Sequence, residues 1–143
     1  MSAAALDIGV MTALKADATL ATLAPGGVFR DVAPEAVVSS ALQDPTEVFG
    51  VVTLQIAGDV YAFTGRAFEE CRYLVKFVSP STSPVNAQAA SDRAEAVLEA
   101  LTVTGYSISC SRREERVSYV EADGPVNWQH RGVMWVVKAS PTS

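Results

Sequence analysis

Between Ala3 and Leu23 the apolar residues Leu6, Val10, Met11, Leu14, Ala18 and Ala21 recur at three- and four-residue steps, which lines one side of an α-helix. Asp17, in "KADATL", can continue that helix or cap a fresh turn, because its carboxylate can accept from amides two or three residues on. A kink there is compatible with both readings. "PGG" at 25–27 ends the segment: proline donates nothing to the ladder and the glycines accept left-handed dihedrals. Residues 1–24 therefore read as the first helix.

"VFRDV" (28–32) reads as a short strand halted at Pro34. "EAVVSSALQDPTE" (35–47) has no clean period and reads as a long loop with a helical turn. "FGVVTLQIAG" (49–58), rich in branched residues and bounded by glycine, suits a mostly buried strand. "RAFEECRYLVKFVS" (66–79) suits a long strand projecting beyond the sheet, with Ala67, Cys71, Tyr73, Val75 and Phe77 on one face and Glu69 interrupting it. Strands and loop thus fill 25–83.

A second helix falls within 84–102. Ser83 can cap it, Pro84 suits its first position, and Ala90, Ala94, Val97, Leu98 and Leu101 line one side. After Gly105, "YSISCS", "ERVSYVEA" and "VNWQHRGVMWVVKA" read as three strands across 103–139, the last two joined around "DGP" (123–125). "VMWVV" (133–137) is apolar on both faces and predicts a central strand. Residues 140–143 read as a frayed tail. The order predicts one α+β domain over 1–143: two layers, a mostly antiparallel sheet and two helices packed on one side.

Composition adds limits. At 143 residues, 49% apolar and 19% charged, the chain fits one folded domain. A formal charge of −5 repels phosphates at long range, so tight DNA binding is not expected. Two cysteines, Cys71 and Cys110, at strand positions fit small buried side chains in a reducing compartment better than a disulfide framework. "MSAAALDIG" has no basic leader, and no stretch reaches the roughly 18 apolar residues of a membrane helix. Neither standard secretion nor membrane insertion is expected.

Catalytic chemistry has few candidates. His130 is the one histidine, and in "WQHRGVMW" it shares a strand face with Trp128 and Met134, as a packed or rim residue does. Pairing with Cys71 or Cys110 would make a nucleophile, but neither cysteine sits where its pKa would fall. No ligand spacing suits zinc, and "APGGV" lacks a phosphate loop's lysine. Neither a metal nor a cofactor is expected. Glu69 and Glu70 point to opposite strand faces, wrong for a shared substrate, and read as a solvated edge. "SRREERVSYVEAD" (111–123) is the densest charged patch. It suits either a solvated edge that discourages aggregation or a subunit contact. Glu69, Glu70, Arg72, Arg112, Arg113, Glu114, Glu115 and Arg116 are the candidate subunit-interface residues.

From "ALKADATLATLAPGGVFRDVAP" onward the chain resembles the phage tail terminator family, also called tail completion or head–tail joining proteins. The shared parts are a first helix with an Asp-Ala turn and leucines, a Gly-Gly break, the "VFRDVAP" strand ending in proline, and a hydrophobic strand, here "FGVVTLQI", after a variable loop. "RAFEECRYLVKFVS", "AQAASDRAEAVLEAL" and "HRGVMWVV" continue the order over nearly the whole chain, although the segment from Pro34 to Phe49 is longer than the common pattern. The resemblance implies a non-enzymatic virion protein assembled in the bacterial cytoplasm. Such proteins form a homo-oligomeric ring, six-membered, at the head-proximal end of the tail. The ring caps the tail tube protein, stops polymerisation and presents a surface to the head connector, while DNA passes through the lumen unbound. The nearest alternative is another neck or head-closure component, and a small Cys/His enzyme is a more distant one.

Overall fold

The structure, a computed structural model, describes the backbone of residues 3–62 and 65–142 and the side chains of 5–58 and 68–142. The elements are α1 (Ala3–Ala16), α2 (Ala18–Leu23), β1 (Gly27–Arg30), α3 (Glu35–Gln43), β2 (Phe49–Ala62), β3 (Gly65–Ser79), α4 (Val85–Glu99), β4 (Tyr106–Asp123) and β5 (Val126–Pro141). The strands form one sheet in the order β1-β2-β3-β5-β4. β1 and β2 are parallel, and every other pair is antiparallel. The α+β class and the mostly antiparallel sheet agree with the sequence reading.

The first helix breaks at Asp17, whose side chain accepts from the Leu20 amide at 2.8 Å and so caps α2. The break resets the helical phase. Leu6, Val10, Met11 and Leu14 are buried as expected, but beyond the break Leu20 and Ala24 are buried while Ala18 and Ala21 face solvent. α4 buries Ala87, Ala90, Ser91, Ala94 and Leu98. Its start is held by the Ser83 hydroxyl, which accepts from the Val85 amide at 3.3 Å.

These three helices share one core with the sheet face that carries Cys71, Tyr73, Val75, Phe77, Val133, Trp135 and Val137. Ala67, expected on that face, lies outside the described side chains. Gly50 makes room for the Phe77 ring, which a Cβ there would meet at 2.6 Å.

Four expectations are corrected. The 35–47 segment is not a loop with a turn: α3 is a nine-residue helix, so the described residues hold four helices rather than two. Ala41 of α3 packs with Phe49, Val51, Val78 and Trp128 on the sheet face opposite the other helices, and that burial outweighs the weak helix propensity of "VVSS". β2 is buried only through Val52; from Gln55 to Gly58 it is exposed. "YSISCS" and "ERVSYVEA" are one strand, β4, whose register shifts at Ser109 and Glu114. The tail is not frayed at 140–142: Ser140 pairs with Ser107, Pro141 with Tyr106, and the Thr142 amide donates to Gly105 at 3.0 Å.

The β4–β5 turn is Gly124–Pro125, with Gly124 at φ 59, the positive angle that a two-residue hairpin asks of its first turn residue. β5 is paired on both sides, as its two apolar faces predict.

Candidate assembly surface

Strand alternation places the candidate residues. Cys71 and Tyr73 face the helices, so Glu70 and Arg72 face the opposite, open side of the sheet. There Arg72 donates to Glu114 at 2.8 Å and to Glu70 at 3.3 Å, a chain of charges running from β3 to β4. The Glu114 bulge lets that side chain reach inward over β5 to Arg72. On the helix side Arg113 donates to Glu95 of α4 at 2.9 Å. Arg112, Glu115 and Arg116 are exposed, with no ion-pair partner among the described residues.

Glu69 departs from this set. Its carboxylate is not at a solvated edge: it is 1% exposed and accepts from the Tyr106 hydroxyl at 3.0 Å. Strand parity directs it into the core, where a carboxylate needs donors, and Tyr106 at the start of β4 supplies one. Within the chain Glu69 ties β3 to β4.

Magnitudes separate what holds the fold from what decorates it. Burying one large apolar side chain contributes about 1.5–3 kcal/mol, against about 0.2–1 kcal/mol for an exposed ion pair. Trp135, Tyr73 and Phe77 therefore carry stability. The charged row on β3 and β4 mainly orients side chains.

His130 is packed, as its strand position implies. It is 6% exposed, stacks on Tyr119 with ring centroids 4.3 Å apart, and places Nε2 3.0 Å from Glu121. Burial pushes its pKa below the usual 6.5, with Lys76 adding to the effect and Glu121 opposing it. Lys76 donates to the Tyr119 hydroxyl at 2.9 Å. A cavity of about 350 Å³ beside this cluster is lined by Val38, Phe49, Val78 and Trp128, with Asp31, Glu121 and Asp123 among its polar groups. Asp31 takes a positive φ of 63, a conformation aspartate tolerates better than most residues. Sequence reasoning missed this cluster because Tyr119 and His130 meet only through the β4–β5 register.

No nucleophile pair forms. Cys71 lies opposite Val137 and His130 opposite Val78 along the same strand pair, about 23 Å apart at roughly 3.3 Å per residue, and on opposite sheet faces. Cys110 and His130 are similarly distant along β4–β5. Among the described residues no group of His, Cys, Asp and Glu is arranged to hold a metal ion, and no helix is long and apolar enough to cross a membrane.

A chain from a solved structure described as the virion of a native gene transfer agent particle shares the fold, with a TM-score of 0.68, 18% sequence identity, and coverage of 97% of this chain and 98% of that one. No protein-family model matches, and no curated protein does.

Proposed function

We propose that this chain is a structural virion protein of a phage-like particle. In this reading its copies form a six-membered ring on the finished end of the tail tube, stop tube polymerisation and join the tail to the head connector. The observation that carries the proposal is the end-to-end likeness of fold to a gene transfer agent virion chain, covering nearly all of both chains. The tail terminator resemblance of "ADATLATLAPGGVFRDVAP" and the strands that follow narrows the virion reading to the head-proximal tail end.

A ring subunit needs two unlike surfaces that fit each other on successive copies. Glu70, Arg72 and Arg112–Arg116 supply a row of mixed charges, of which Arg112, Glu115 and Arg116 are unengaged and available to a neighbour. Glu69 is excluded from that contact by its burial. Such charges set register and partner choice more than affinity. The net charge of −5 also suits a collar through which DNA slides without sticking. The function is mechanical, with no bond-making step.

Electron microscopy of particles assembled without this protein tests the proposal. Overlong tubes without heads are the expected result. Tails of normal length that lack heads would move the chain to a neck or head-closure role, and normal joined particles would reject both.

A further inference from the structure

The sheet ends on two unlike edges. On one side β1 covers β2 only from Phe49 to Val52, while β2 continues along β3 to Ala62. The Val52 carbonyl accepts from the Asp31 amide at 3.0 Å, so the backbone groups of Val52 point toward β1. Two residues on, those of Leu54 point the same way, where the described residues supply no strand. On the other side β4 pairs with β5 and, beyond Tyr106, whose amide donates to the Val103 carbonyl at 3.1 Å, no strand among the described residues covers its outer edge from Ser107 to Asp123.

Unpaired edge amides are a template for another strand, and proteins normally blunt them with charges, bulges or short length. β4 is blunted: it carries bulges at Ser109 and Glu114 and the charges of 112–116. The β2 edge has one bulge, at Gln55, but "TLQIAG" (53–58) has no charge and no proline, and Ile56 is 54% exposed. Three of the seven large apolar side chains exposed among the described residues, Ile56, Tyr119 and Val120, stand on these two strands.

Antiparallel pairing of β4 with β4 of a second copy is a two-fold, isologous contact, which closes as a dimer and builds no ring. A β2 edge on a β4 edge joins two unlike surfaces, which is the heterologous arrangement that closes a ring.

We infer that the β2 edge beyond Val52 in one copy adds as a strand to the β4 edge of the next, so that the ring is a continuous belt of sheets held by main-chain hydrogen bonds. This rests on the ring reading above and names its contact. The occupant of each edge is a second copy of this chain.

Amide hydrogen exchange on the free full-length chain and on the chain within purified particles tests it. Peptides covering 53–58 and 107–123 are expected to exchange at least about tenfold more slowly in particles, while 49–52, already paired, changes little. Leu54→Pro, which removes an outward-pointing amide, is expected to abolish ring incorporation while the free variant keeps its circular dichroism. A ring in particles with both edges exchanging at free-chain rates overturns the inference and leaves the ring reading standing. Particles that contain no ring of this chain overturn both. Should Leu54→Pro fail to fold, the exchange comparison on the unaltered chain still decides.

Discussion

Asp17 and Arg93 lie 76 residues apart and form a two-point ion pair, Nε to Oδ2 and Nη2 to Oδ1, each at 2.8 Å. The same Oδ2 accepts from the Leu20 amide, so one carboxylate both starts α2 and pins it to α4. Arg93 beside it, followed by the Leu20 amide, holds the Asp17 carboxyl down at about 2 against a usual 3.8. This contribution is present above 3.8 and is lost as pH falls through about 2. Asp17→Ala is expected to lower the melting temperature more than Arg93→Ala does, because it also removes the cap. It should also flatten the acid limb of stability between those two pH values, read by thermal melts across pH.

Ser111 donates to the Leu98 carbonyl at 2.6 Å and accepts from the Trp135 indole N–H at 2.9 Å, linking β4, β5 and α4 through one hydroxyl. Ser111→Ala strands a donor and an acceptor in a region that includes fully buried Trp135. The expected loss is about 1–3 kcal/mol, measured by urea unfolding, with Ser111→Thr recovering part of it.

Gly132 faces β3 so closely that a Cβ would lie 2.2 Å from the Val75 carbonyl oxygen and 2.6 Å from the Lys76 Cα. Those are backbone atoms and cannot rotate away. Gly132→Ala should cost about 1–3 kcal/mol or more as the strands are forced apart. Gly58→Ala, where nothing lies within 4 Å, should change stability little. Paired denaturant melts read the contrast.

His130 gives the one imidazole signal in the chain, so its titration can be followed without assignment. Its midpoint is expected below 6.5. Glu121→Gln, by removing the neighbour that favours protonation, should lower the midpoint further, and Lys76→Met should raise it. Because the unfolded chain takes up the proton first, the stability His130 contributes is intact above 6.5 and is lost as pH falls through the lower folded-state value.

The sequence-to-structure comparison divides along the range of the interactions. Helix faces were legible where one face alone sets the period, as at Leu6, Val10 and Leu14 or Ala90, Ala94 and Leu98. The phase reset after Asp17 was open in the sequence because the capped and the continuous readings use the same residues. α3 was hidden because "VVSS" disfavours helix locally and gains its stability from Phe49 and Trp128, which arrive later in the chain. β4 looked like two strands because the run between them is charged and bulged, and continuity came from β5 alongside. At the candidate surface, local charge identified Arg72, Glu114 and Arg113 as a polar group. It misjudged Glu69, whose partner Tyr106 is 37 positions away. Strand parity with Cys71 and Tyr73 was the local signal for its burial, but the donor that lets a carboxylate stay there was not visible in the sequence.

The central claim is that this chain works as a ring at the head-proximal end of a tail. Cryo-electron microscopy of intact particles, with density at the head–tail junction fitted by this fold, tests it most directly. The account predicts six copies in a closed ring between the tube and the head connector. Finding the chain elsewhere in the particle, as isolated copies, or absent from it would contradict the account.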